Sequence, residues 1–179
     1  MTEKLIFDSA VEGLLNSGRP DFTPRCISRL TGAGFDPRAK VKPAYPAEQW
    51  ASLVKILSEE IYPGLDELEA QRKMALRTVD AFAHSMIGSA MFAVVGLLGP
   101  DRTVRRMTRN FRSSSNFLET TCTEISPHSF EIVFNDVTGV PGFYMGLLEG
   151  GFLRAGAKNL SVTIKSREAP GAIYLTSWS

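Results

Sequence analysis

The chain has 179 residues, 44 % of them hydrophobic and 22 % charged, with a formal net charge of +1. That length suits one domain with a real core, and the balance excludes disorder and any long-range pull on nucleic acid or anionic lipid. Cys26 and Cys122 lie far apart and outside any zinc spacing, which fits a reducing compartment.

The start, MTEKLIFDSAVEGLL, carries Glu3, Asp8 and Glu12 among its apolar residues and lacks the basic start and cleavage site of a secretory signal. The expected location is the cytoplasm. TPRCISRL then places Thr23 as an N-cap and Pro24 in the first helical position, and TGAGFDP ends that helix. In KPAYPAEQWASLVKILSEEIYPG a helix is predicted from near Pro46, with Trp50, Leu53, Val54, Leu57 and Ile61 at helical spacing, until Pro63-Gly64 stops it.

A long helical unit follows from about Leu65 to Leu98, with a bend expected at Gly88. Its stretch AFAHSMIGSAMFAVVGLLG, residues 81–99, has no charged residue and approaches the ~20 residues of a membrane span. The charged DELEAQRKMALRTVD before it and the absence of a second span favour a helix central to a soluble core. Gly99-Pro100 opens one more helix, DRTVRRMTRNFR.

The period then changes. NFLETTCTEI and SFEIVFNDV read as strands joined through Ser126-Pro127-His128, VPGFYMGLLEGGFLRAG as a helix, and NLSVTIKSR and AIYLTSWS as a second hairpin across EAPG. The predicted fold class is α+β. A mainly helical part, residues 1–113, packs on an antiparallel sheet of strand-strand-helix-strand-strand order, residues 114–179, in a single domain over 1–179.

Two features stand out as candidate sites. On a helix turning about 100° per residue, Arg102, Arg105, Arg106, Arg109 and Arg112 fall within one stripe, followed by Ser113 to Asn116. The bland reading is a solvated face; the functional one is an anion or acidic-partner docking site using those arginines with Ser113 and Ser115. Pairing with the acidic cluster Glu59, Glu60, Asp66, Glu67 and Glu69, within or between chains, is equally economical, and nucleic acid is not expected.

Gly142, Gly146 and Gly150 recur every four residues and leave one helix edge bare, although each glycine inside a helix costs ~1 kcal/mol relative to alanine. Close packing on the sheet is the bland reading; a ligand-pocket wall, with His84, Gly88 and Phe92 opposite, or a dimer contact, is the functional one. Neither histidine has the neighbours of a metal site, and no serine or cysteine has the context of a nucleophile, so no catalytic residue and no metal is assigned.

KPAYPAEQW, IYPGLDELEA, LLGPDRTVRRMTRNFRSSSNF, VPGFYMGLLEGGFLRAGA and IYLTSW together resemble a paralogue-rich myxobacterial family of chains about this long, without an established activity. The element order, with the GLLEGGF helix between hairpins, also resembles haem nitric-oxide/oxygen binding domains, four-vinyl-reductase-type sensing domains and transport-protein-particle subunits. That resemblance implies an apolar cavity between helices and sheet, and a dimer through the helices. Haem-binding members carry Tyr-x-Ser-x-Arg for the propionates. The nearest segment here, Phe111-Arg112-Ser113-Ser114-Ser115, keeps the serine and lacks the tyrosine and final arginine, so no cofactor, haem included, is expected.

The expected function is a non-enzymatic cytoplasmic sensor or adaptor that binds a small hydrophobic or amphipathic ligand and an acidic partner. The alternative is a structural dimerisation and docking module with a filled core; a haem- or nucleotide-binding regulator comes third.

Overall fold

The computed structural model describes residues 3–179, and for 107–110 the backbone alone. The strands β3 (Thr120–Ser126), β4 (Ser129–Phe134), β5 (Ser161–Ser166) and β6 (Ala172–Ser177) form one antiparallel sheet in the order β3-β4-β6-β5. Alternation decides which face is inner: Phe130, Ile132 and Phe134 on β4, and Ala172, Tyr174 and Thr176 on β6, are buried, while their neighbours are not.

Helix α6 (Pro141–Arg154) lies on that inner face. Tyr144 meets Phe134 with ring centres 5.2 Å apart, Phe152 meets Trp178 at 5.0 Å, and the Tyr174 hydroxyl donates to the Pro141 carbonyl at 2.7 Å. The opposite side of α6 is covered by α4 (Glu67–Ala83), whose N-cap Asp66 accepts from Glu69 N at 3.1 Å. A helix enclosed from both sides has no reason to be amphipathic, and α6 is apolar nearly all round.

Behind α4 stand α1 (Asp8–Gly18), α2 (Pro24–Gly32) and α3 (Ala47–Ile61). Thr23 caps α2 through Cys26 N at 3.1 Å, and the predicted apolar face of α3 is buried from Trp50 to Leu57. A short ribbon, β1 (Leu5–Phe7) with β2 (Ala44–Pro46), closes this end. The α+β class and the order of the C-terminal elements are as the sequence implies.

Two expectations for the middle of the chain are corrected. The chain turns at His84-Ser85, not at Gly88: Ser85 Oγ accepts from Gly88 N at 3.0 Å, capping α5 (Met86–Arg112), and α4 and α5 meet at 99°. Gly88 is needed beside this turn, since a Cβ there would come within 1.8 Å of the Phe82 carbonyl oxygen. The apolar segment 81–99 is also not a core helix. Met86, Ile87, Val94 and Leu97 are 88, 72, 55 and 88 % exposed. Helix α5 breaks again at Gly99, which takes φ 74° and ψ 170°, before Pro100 restarts it. Among the described residues no single helix is long and apolar enough to cross a membrane.

Candidate ligand-binding site

The break between α4 and α5 props the apolar helix over α6 rather than inside the body, and apolar space remains beneath it. An outer cavity of about 240 Å³ lies between Val79 and Phe82 of α4, Met91, Phe92 and Val95 of α5, and Leu147 of α6. An inner one of about 220 Å³ is bounded by Ile6, Trp50, Phe143 and Tyr144. Thr78, Phe111 and Leu147 line both, so Phe111, edge-on to Phe134 at 5.0 Å, stands at their junction. Outward, the space continues along Met91, Val95 and Thr103 into a hollow of about 290 Å³ that Arg106 also lines.

The inner end carries buried polar atoms within apolar walls. Trp50 is 4 % and Tyr144 3 % exposed. Neither Trp50 Nε1 nor Thr138 Oγ1 makes a hydrogen bond of normal geometry among the described residues. Burial pushes the Tyr144 hydroxyl up to about 12; the Thr138 hydroxyl and Trp50 indole beside it favour the phenolate, and the Asp136 carboxylate opposes it. The phenol is therefore a neutral donor throughout the physiological range.

The candidate residues disperse. Phe92 lines the outer cavity, edge-on to Phe82 at 6.1 Å, but His84 does not: its side chain is exposed at the C-cap of α4, with Nδ1 2.7 Å from the Asp80 carbonyl. His128 lies in the β3–β4 turn, 3.0 Å from Asp101. At Gly142 and Gly146 the glycine edge faces α4 and not the sheet expected to cover it. A Cβ on Gly142 would lie 2.3 Å from the Leu68 carbonyl oxygen, and one on Gly146 2.2 Å from that of Arg72, so the edge is where α6 meets α4. Gly150, against Val79, borders a wider charged groove in which Arg77 and Arg154 are already paired to Asp21 and Asp80.

The arginine stripe is exposed at Arg102, Arg105, Arg106 and Arg112, while the side chain of Arg109 lies outside the described residues. Arg105 pairs with Glu124 and sits 5.5 Å over the Phe130 ring, and Arg112 is 3.6 Å from Glu119. Ser113 is exposed, but Ser115 is buried, its hydroxyl accepting from Leu118 N at 3.1 Å, so it serves the fold rather than an anion. Among the described residues the acidic cluster does not pair with the stripe. Glu59 and Glu60 hold Arg29 at 2.6 and 2.7 Å, Glu67 holds Lys55 at 3.5 Å, and Glu69 holds Arg72 at 2.8 Å.

The family description for proteins of unknown function, DUF2378, matches residues 4–179. The chain belongs to the DUF2378 family. No curated protein matches it by sequence. Solved structures match this DUF2378 chain along nearly its whole length. The Fe(II) unliganded H-NOX protein from K. algicida does so with a TM-score of 0.71 at 10 % identity, covering 97 % of both chains. An oxygen-binding H-NOX domain related to soluble guanylate cyclases gives 0.63 at 11 % identity, covering 96 % of this chain and 94 % of that one. A structure from work on haem distortion in the H-NOX family gives 0.65 at 13 %, with the same coverage.

At such identities the likeness establishes the fold. It also overturns the expectation that haem has no bearing on this chain, because the matching structures are H-NOX domains and haem is named among them. That expectation rested on comparing residues 111–115 with a sequence motif. Those residues run from the end of α5 into the connection to β3, and Phe111 belongs to the cavity wall.

The sequence reading also missed residues. Helical spacing assigns Trp50 to the core alone, and it does not mark Tyr144, Phe111 or Leu147 as cavity lining. The available signal was the lone tyrosine in the otherwise apolar FYMGLL.

Proposed function

We propose that this chain is a non-enzymatic sensor domain on the H-NOX fold, taking a small and largely apolar molecule into the paired cavities around Phe111, with haem among the candidates. The observation that carries this reading is the continuous apolar space around Phe111, which ends at two buried polar groups, the Trp50 indole and the Tyr144 hydroxyl beside it. An acceptor on the occupant would meet these donors at the inner end, at a net gain of about 1 kcal/mol per hydrogen bond.

The fit to haem is divided. The apolar walls suit the faces of a flat ring, and Arg106 lines the continuing outer hollow, where a carboxylate could be met. No histidine lines these cavities; the donors that do are the Met91 thioether and the Tyr144 phenol. Bound there, haem would supply the iron site at which its class binds small gases. The chain's own contribution is mechanical: an occupant touching α4, α5 and α6 together would fix segment 86–98 against α6 and bias the turn at His84-Ser85.

Native mass spectrometry of freshly purified protein, repeated after denaturation, and a haemin titration test the reading. The expected result is a mass excess lost on denaturation, or one-to-one quenching of Trp50 in a Trp178→Phe background with a sharpened Soret band. A bare mass together with non-saturable quenching would sink it and favour the filled-core docking module.

A further inference from the structure

Segment 86–98 is apolar on more than one face. Ile87, Met91, Val94 and Leu98 follow one helical row, and Met86, Ala90, Ala93 and Leu97 another, while no charged residue interrupts either. A helix apolar all round is ordinarily buried in protein or lipid. Here its own chain covers one side, mainly at Phe92 and Val95, and leaves Met86, Ile87, Val94 and Leu97 in water. At ~1.5 Å per residue the segment is roughly 20 Å long, too short for a ~30 Å hydrocarbon core and suited to lying in its boundary.

The charge pattern beside it selects the occupant. Immediately past Gly99 the exposed surface turns basic, with Arg102, Arg105, Arg106 and Arg112. Among the described residues Arg102 and Arg106 meet no carboxylate. A second copy would bring its acidic cluster already engaged, since Glu59, Glu60, Glu67 and Glu69 hold Arg29, Lys55 and Arg72. An anionic lipid surface satisfies both halves of α5 at once, apolar residues entering the acyl boundary and arginines resting on phosphate or carboxylate headgroups.

We propose that α5 docks this protein on an anionic membrane surface, with 86–98 lying shallowly in the leaflet and the arginines that follow on its headgroups. With a net charge of +1 the attraction is local to α5.

Co-sedimentation with vesicles of phosphatidylcholine, alone and mixed with phosphatidylserine, tests this. Wild type should sediment with the mixed vesicles and far less with phosphatidylcholine. Arg102→Gln and Arg106→Gln should each weaken binding about fivefold, and Ile87→Ser with Leu97→Ser by roughly tenfold or more. These side chains are exposed, so circular dichroism should show the variants folded.

Absence of sedimentation with mixed vesicles at low salt overturns the proposal. Sedimentation indifferent to Ile87→Ser with Leu97→Ser overturns it too, leaving only diffuse charge attraction. A wild type that ignores vesicles but is a dimer by light scattering, dissociated by the same pair, assigns the surface to a second copy.

Discussion

Replacing Gly146 and Gly151 by alanine, one at a time, should change stability in opposite directions although both lie in α6. A Cβ at 146 would fall 2.2 Å from the Arg72 carbonyl oxygen and 2.8 Å from Ala75 Cβ, where ordinary contact begins at 3.4 Å. A carbonyl bonded within α4 cannot rotate away, so the two helices must part by about 1 Å, and such overpacking costs about 1–3 kcal/mol or more. The alanine regains ~1 kcal/mol of helix propensity. The net expectation for Gly146→Ala is a loss of about 1–2 kcal/mol, or roughly 2–8 °C in melting temperature for a chain of this size. At Gly151 nothing lies within 4 Å of the added atom. There the propensity acts alone, and Gly151→Ala should gain about 0.5–1 kcal/mol. Urea denaturation followed by far-ultraviolet circular dichroism measures both, with m-values confirming that only stability changed. Equal effects at the two positions, or an unharmed Gly146→Ala, would refute the close crossing of α4 and α6.

The remaining predictions concern titration and charge. Tyr144 has a folded-state pKa of about 12 against ~10 unfolded, so the folded state holds its proton longer. That contribution is complete below pH ~10 and is lost as pH rises through about 12, worth roughly 2–3 kcal/mol in all. Urea midpoints between pH 8 and 11 should therefore fall more steeply for wild type than for Tyr144→Phe; parallel slopes would mean the hydroxyl is not protected. Arg72 joins α4 to α6, with Nη1 2.5 Å from Glu149 and Nε 2.8 Å from Glu69, all three side chains partly buried. A double-mutant cycle of Arg72→Met with Glu149→Gln should return a coupling of about 1 kcal/mol in thermal melts, and a value near zero would remove the pair from the interface.

Local chemistry made much of the fold legible in the sequence. Thr23 before Pro24 and the apolar spacing from Trp50 to Ile61 specify helices through contacts a few residues apart. The alternation in SFEIVF specifies a strand with one buried face, and Gly99-Pro100 specifies a break through backbone geometry. The β1–β2 ribbon escaped because three-residue strands carry no period.

The candidate site was legible only in part. Phe92 could be placed near a cavity from its helix, but Trp50, Phe111 and Tyr144 come from three different elements, and nothing in their separate neighbourhoods says that they meet.

By itself the sequence determined the α+β class and the order of its elements, because propensity, capping and periodicity act over distances shorter than one helix. Tertiary structure alone decided which surface each apolar segment meets. The glycines of α6 admit α4 because two backbones can approach there, and the uncharged helix expected in the core lies outside, where α4 already covers the glycine edge of α6. Hydrophobicity requires that a surface leave water; it does not say against what.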